Sequence, residues 1–130
     1  MDCMRGRTKT DWWGVVLEAP DAAALARFYS DLLGWPIAKE EPGGAAIQVP
    51  GTSSYLAFED SPGYEPPVWP AADGRQRQMM HIDVAVDDVA SAVADAVELG
   101  ATVADFQPQD DVRVLLDPAG HPFCLYLDTD

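Results

Sequence analysis

GVVLEAPD at residues 14–21 and HIDVAVDD at residues 81–88 decide the fold, because they align at a constant offset of 67 residues, 81 minus 14. Each stretch reads as a short strand that ends on an acidic residue, Asp21 or Asp88, able to cap a following helix. An internal repeat of this kind predicts that one supersecondary unit occurs twice in the chain.

A helix-like pattern follows each acidic residue. Apolar residues recur at helical spacing in both halves, and each pattern closes on a glycine that suits the left-handed stop of a helix. These residues are Leu25, Phe28, Tyr29, Leu32 and Gly34 in the first half and Val89, Val93, Ala96 and Gly100 in the second. The pattern predicts one helix in each half.

Short apolar or alternating runs come after each helix, at 45–49 and 55–58 in the first half and at 112–116 and 123–127 in the second. Turn sequences separate the runs, PG at 50–51 and DPAG at 117–120. Each half is therefore predicted to contain a strand, a helix and up to three further strands. This order is typical of an α+β fold.

Residues 60–78 hold four prolines and two glycines, a composition that disfavours regular structure. We interpret them as a connector between half-modules at about 12–59 and 79–128 of a single domain, 12–130. The connector's Tyr64 and Trp69 are expected to fold back onto the protein, since exposed aromatic rings forgo apolar burial. Residues 1–11 are predicted to form a flexible basic arm.

Length and charge narrow the functional classes. At 130 residues with 48% hydrophobic content, the chain is long enough for one domain with a real core. Its 8 basic and 22 acidic residues give a formal charge of -14, which disfavours nucleic acid and anionic membranes as partners. Neither a signal peptide nor a membrane span can be drawn, so we expect a cytoplasmic protein. Two cysteines do not make a disulfide framework.

FYSDLLGW at 28–35, HIDVAVDD at 81–88 and DPAGHPFCL at 117–125 together resemble the vicinal oxygen chelate superfamily. That superfamily includes glyoxalase I, bleomycin-resistance proteins, fosfomycin-resistance enzymes and extradiol dioxygenases, and the resemblance here is glyoxalase-like. It implies two βαβββ modules whose mixed sheets form an incomplete barrel around a cleft. It also implies a binding site on the concave face, in many members completed across a homodimer.

Strand alternation predicts which side chains face this cleft. If Val15, Leu17 and Ala19 pack on the first helix, then Gly14, Val16 and Glu18 face the cleft. By the same argument His81, Asp83 and Ala85 face inward from the first strand of the second half, and Cys124 and Tyr126 from its last strand.

The resemblance also implies a divalent metal, held by His or Gln and by Glu in each half. Here only His81 falls on such a position. Gly14 replaces the first-half His, Cys124 the second-half Glu, and Tyr55 or a neighbour the first-half Glu. Because a catalytic cation needs about three protein donors, we predict no metal and no cofactor. Glu18, Glu59 and Asp83 offer an alternative donor set with His81, although their spacing does not specify one.

Each candidate residue has a functional and a structural interpretation. His81 is a pocket hydrogen-bonder or general base, with Asp83 as its catalytic partner, or else an inherited strand residue. Cys124 is more simply a small hydrophobic residue than a nucleophile. Arg113 is either a counter-charge or carboxylate anchor or a solvated side chain, and His121 is expected to be exposed. The predicted ligand-binding set is Glu18, Tyr55, Trp69, His81, Asp83, Cys124 and Tyr126.

Three functional hypotheses follow. The first is a metal-independent binder of a small organic molecule, neutral or cationic because the protein is acidic. The second is a lyase, isomerase or dioxygenase-like enzyme that uses His81 with a carboxylate, with or without a metal. The third is a dimeric accessory protein whose cleft is vestigial.

Overall fold

A computed structural model describes residues 4–7 and 11–129, so Cys3 and most of the basic arm lie outside the described residues. The chain forms two compact units, one up to Asp60 and one from Ser61. The first unit contains β1 (Gly14–Ala19), α1 (Ala22–Leu33), β2 (Ile37–Glu41), β3 (Gly44–Gln48) and β4 (Tyr55–Asp60). The second contains β5 (Ile82–Val86), α2 (Val89–Leu99), β6 (Thr102–Val103), β7 (Val112–Leu116) and β8 (Pro122–Leu127).

Each unit builds one four-stranded mixed sheet, in the order β1-β4-β3-β2 or β5-β8-β7-β6. The pairs β1/β4 and β5/β8 are parallel, and the remaining pairs are antiparallel. The predicted α+β fold with two βαβββ modules is therefore confirmed. The sequence did not single out β2 or β6, because β2 is exposed along its whole length and β6 has only two residues.

The helix boundaries are those that the capping residues predicted. The Asp21 carboxylate accepts a hydrogen bond from the Ala24 N–H at 3.1 Å, and Gly34 ends α1 in the left-handed conformation with φ 72°. The Asp88 carboxylate caps α2 by accepting from the Ser91 N–H at 3.0 Å. The bond from the Ser91 backbone holds the pKa of Asp88 below its ordinary value.

The core of each unit lies between its helix and one face of its sheet. In the first unit the Tyr29 and Phe58 rings stack with centroids 5.8 Å apart, both fully buried. In the second unit, buried and more exposed residues alternate along β8. Phe123 and Leu125 are buried, whereas Cys124 and Tyr126 are more exposed. The predicted strand phase is confirmed, and one face of each sheet remains free of the core.

The connector has no helix or strand between Asp60 and β5, as predicted, and it folds back onto the second unit. The Tyr64 hydroxyl donates to the Ala119 carbonyl at 2.9 Å, and the Trp69 indole N–H donates to the Phe106 carbonyl at 3.0 Å. Gly120 lies directly beneath the connector, where an added Cβ would come within 2.8 Å of Pro66.

The expectation that His121 is exposed is wrong. Only 17% of its side chain is accessible, and its Nδ1 lies 2.8 Å from the carboxylate of the buried Asp117. Its Nε2 lies 3.2 Å from the Tyr64 hydroxyl. The turn that begins at Asp117 folds the imidazole back over the carboxylate, and the connector covers it.

Arg113 contacts backbone carbonyls of the segment that precedes it. Its guanidinium donates to the carbonyls of Gln109, Asp110 and Val112, so it closes the loop that precedes β7.

No helix among the described residues is both long enough and apolar enough to cross a membrane.

Candidate functional site

The exposed face of the first sheet carries a depression of about 690 Å³. Small residues form its floor: Gly44 and Ala46 on β3, and Ala57 directly opposite Ala46 on β4. Their sequence neighbours Ala45 and Phe58 point to the opposite face and are buried. The alternation of the two strands thus places the core on one face and open space on the other.

Aromatic side chains border the depression. Tyr55 lies at the start of β4, opposite Gly14 in the strand register, and Trp12 lies just before β1. A Cβ added at Gly14 would overlap the Tyr55 ring and come within 2.6 Å of its Cζ. Glycine at this position therefore lets the Tyr55 ring lie across β1, in the place where the resemblance implied a histidine.

The charged residues near the depression are mostly acidic. Glu41 and Glu59 line it together with Lys39, whose ammonium is 3.6 Å from the Glu41 carboxylate. Glu18 pairs with Glu59 in the strand register and is exposed. Three carboxylates and one ammonium favour a neutral or cationic ligand over an anionic one.

The second sheet carries a different cluster on the corresponding face. His81 precedes β5, Asp83 lies two residues further on the same face, and Cys124 is the register partner of Asp83 on β8. The His81 Nε2 is 3.2 Å from an Asp83 carboxylate oxygen, and donor atoms of all three residues lie within 4.8 Å of one another. His81 and Asp83 are exposed, whereas Cys124 is half-buried.

The Cys124 thiol is held in its neutral form. Burial raises its pKa to about 11, and the negative charge of Asp83 and a hydrogen bond to the Asp83 carboxylate act in the same direction. An unassisted nucleophilic role is therefore disfavoured, in agreement with the structural interpretation of this residue.

Alkylation of Cys124 at pH 8 is expected to be slow. With a pKa of about 11, roughly one thiol in a thousand is ionised, so iodoacetamide should react roughly 200-fold more slowly than with an ordinary cysteine. The rate should rise about tenfold per pH unit up to about pH 11. A Cys3→Ser background leaves Cys124 as the single thiol.

Asp83→Asn provides the matched comparison in that background. Removing the carboxylate removes one cause of the raised pKa, so alkylation at pH 8 should become several-fold faster. An ordinary alkylation rate in the parent chain, or no change on Asp83→Asn, contradicts the assigned environment.

The internal repeat shows that equivalent positions of the two sheets carry different kinds of side chain. By the offset of 67 residues, His81 and Asp83 correspond to Gly14 and Val16. Cys124 corresponds to Ala57, since Ala57 is the register partner of Val16 as Cys124 is of Asp83. The same three positions thus carry donor atoms in the second unit and none in the first.

Two other predicted ligand-binding residues, Tyr126 and Trp69, do not belong to the cluster of His81, Asp83 and Cys124. Tyr126 is 39% exposed on the Cys124 face of β8, paired with Ala85. Trp69 packs against Phe106 with ring centroids 6.0 Å apart and does not line the depression on the first sheet.

Sequence reasoning missed the floor of the depression. Gly44, Ala46 and Ala57 carry no reactive group, and they were not considered as site residues. The available signal was the alternation of small with buried residues in GAAIQ at 44–48 and YLAFED at 55–60.

Two βαβββ units, each with a mixed sheet that presents one uncovered face, define the architecture of the vicinal oxygen chelate superfamily. Residues 14–126 match the family model described as the glyoxalase-like domain, and the chain belongs to that family. Among curated proteins, no sequence matches this chain.

Solved structures show the same fold. A glyoxalase/bleomycin resistance protein/dioxygenase family enzyme from Burkholderia phytofirmans PsJN is 19% identical, with 91% of this chain and 98% of that chain covered and a TM-score of 0.67. A glyoxalase-related enzyme from Fulvimarina pelagi is 21% identical, with 88% and 86% covered and a TM-score of 0.64. Lactoylglutathione lyase from Agrobacterium tumefaciens is 17% identical, with 93% and 96% covered and a TM-score of 0.58.

The metal set implied by the superfamily does not fit this chain. That set takes His or Gln and Glu from both halves, whereas the register places Gly14 and Ala57 at the first-half positions and Cys124 at the second-half carboxylate position. Only His81 keeps a suitable donor, and one imidazole does not hold a hard divalent cation.

Proposed function

We propose that this protein binds a small organic molecule on the exposed face of its first sheet. The observation that supports this most directly is the depression of about 690 Å³ over Gly44, Ala46 and Ala57. Its volume lies within the range of small-molecule pockets, and members of the superfamily bind small molecules. The function is thus sequestration or sensing of a ligand, without a metal.

The lining indicates the class of ligand. Methyl groups and glycine backbone offer a flat apolar floor, on which a planar or hydrophobic body can lie beside Tyr55 and Trp12. Glu59 and Glu41 at the border suit a neutral group or a positive charge. We therefore expect an aromatic or hydrophobic compound that is neutral or carries an amine.

A thermal-shift screen with neutral and cationic aromatic compounds tests the proposal. A ligand present at about 100 times its dissociation constant stabilises the folded protein by about 2.7 kcal/mol, a readily measured rise in melting temperature. Ala57→Leu adds three carbon atoms to the floor of the depression and is expected to weaken the binding of any such compound by about tenfold or more. Binding is measured by calorimetry.

Ala94→Leu is the matched control, because Ala94 is exposed on α2 and the substitution is the same. It should leave the affinity unchanged. Equal affinities for the parent chain and Ala57→Leu, or equal losses in Ala57→Leu and Ala94→Leu, contradict binding on this face.

A second candidate function is a lyase, isomerase or dioxygenase-like reaction with His81 as the acid-base group. The contact of 3.2 Å between His81 and Asp83 favours it, since a carboxylate that accepts from an imidazole orients it for proton transfer. In that case His81→Ala abolishes turnover of a substrate that it still binds. Unchanged turnover in His81→Ala contradicts this candidate alone.

A further inference from the structure

We propose that Gly14 is a positioning residue of the ligand site. It gives the Tyr55 ring room over β1, and it thereby keeps the depression on the first sheet open for a planar ligand. This role rests on the proposed ligand binding at the same face, and it adds the residue that keeps the face accessible.

The backbone does not require glycine at position 14. Gly14 is the first residue of β1, and its φ is not positive. Alanine could therefore adopt the same conformation. Glycine also weakens a strand, because it loses more conformational freedom on folding and has no side chain to pack. The reason for glycine here lies in the space around it.

The Tyr55 ring occupies that space. Tyr55 is the register partner of Gly14 on β4, and its N–H donates to the Trp13 carbonyl at 3.1 Å, which fixes its backbone next to the start of β1. A Cβ at position 14 would lie 2.6 Å from Cζ of the ring and closer still to Cε2 and Cδ2. Because real Cβ atoms do not approach other heavy atoms so closely, any side chain at position 14 displaces the ring.

Displacement of the ring narrows the depression. β4 lies between β1 and β3, and the depression extends over β3 and β4. Gln48, the register partner of Tyr55 on β3, is part of its lining. A ring that is excluded from β1 turns to another staggered rotamer, away from β1 and thus toward β3. There it intrudes on the volume in which a planar ligand would lie over Ala46 and Ala57.

The second unit reverses the sizes of the side chains at the two equivalent positions. By the offset of 67 residues, Gly14 corresponds to His81 and Tyr55 to Pro122. The larger side chain thus stands at the first position in the second unit and at the second position in the first unit. Each unit combines one large with one small residue, as expected if the two positions share one space.

Thioflavin T, a planar aromatic cation, is the probe, and its fluorescence titration measures the affinity. Gly14→Ala should weaken thioflavin T binding by about tenfold, because the displaced ring takes up part of the depression. The melting temperature should stay within about 5 °C of that of the parent chain, since alanine suits an extended backbone. Loss of affinity without loss of stability separates this effect from unfolding.

A double-mutant cycle with Tyr55→Ala separates positioning of the ring from a direct effect of the added methyl group. Once the ring is absent, Gly14→Ala has nothing to displace. The Tyr55→Ala variant and the double variant should therefore bind thioflavin T equally. In the ligand-free parent chain, nuclear Overhauser contacts between the Tyr55 ring protons and the Gly14 Hα protons report the position of the ring, and Gly14→Ala should abolish them.

Three results overturn the role of Gly14. These are equal affinities of the parent chain and Gly14→Ala, an equal loss on Gly14→Ala with and without the Tyr55 ring, and no nuclear Overhauser contact between Tyr55 and Gly14 in the parent chain.

Ala57→Leu distinguishes this failure from failure of the proposed function. If Ala57→Leu loses affinity for thioflavin T while Gly14→Ala keeps it, the ligand face stands and only the role of Gly14 is wrong. If Ala57→Leu binds as tightly as the parent chain, the ligand face itself is wrong. A parent chain that does not bind thioflavin T overturns both.

Discussion

Asp117→Ala is expected to lower the free energy of unfolding by about 3 kcal/mol, because it removes a buried charge that three groups contact. The Asp117 side chain is fully buried and accepts from the Ala119 N–H at 2.9 Å and the His121 N–H at 3.0 Å. It also lies 2.8 Å from the His121 imidazole. Urea unfolding measures the effect as a lower midpoint with an unchanged slope.

Two further variants separate the parts of this network. Asp117→Asn keeps an oxygen for the backbone N–H groups but loses the charge beside His121, so its effect should be intermediate. Asp110→Ala, an exposed acid outside the network, should change stability by no more than about 0.5 kcal/mol. If Asp117→Ala is as mild as Asp110→Ala, the turn is held by other contacts.

Much of the fold could be predicted from the sequence, because both halves of the internal repeat support each inference. Asp21 and Asp88 predicted both helix starts, and the alternation of apolar residues predicted which face of β1, β5 and β8 packs on a helix. β2 escaped prediction because an edge strand that buries nothing needs no apolar pattern.

The candidate site was less accessible, for a physical reason. His81, Asp83 and Cys124 carry reactive groups, and strand parity placed them on one face. A depression, in contrast, forms where the side chains are small. Neither Ala46 nor Ala57 carries a functional group that would mark it as a site residue. The burial of His121 depended on the connector folding over it, a long-range contact between Tyr64 and His121 that no local pattern reports.

Some expectations stay predictions. The homodimer was implied by the resemblance, and the cytoplasmic location was an expectation from the sequence. Light scattering of the purified chain measures the first, and a fluorescent fusion in the native host shows the second.

Phe58→Ala is expected to lower the free energy of unfolding by about 4 kcal/mol, the usual cost of truncating a fully buried phenylalanine. The Phe58 side chain is 2% exposed and stacks on Tyr29, which in turn meets Phe28 edge-on with centroids 5.0 Å apart. Truncation leaves a cavity between β4 and α1 and removes both the apolar burial and the ring contact.

Tyr55→Ala is the matched control on the same strand, since Tyr55 lies three residues earlier and points to the opposite face. It should cost about 1 kcal/mol or less, because its ring is half-exposed. The order of the two variants should be reversed for ligand affinity. Tyr55→Ala weakens ligand binding, whereas Phe58→Ala, measured at a low temperature at which it remains folded, largely keeps the affinity. Equal destabilisation by both variants would mean that the two faces of β4 are equally buried. That result contradicts an open binding face on the Tyr55 side of the strand.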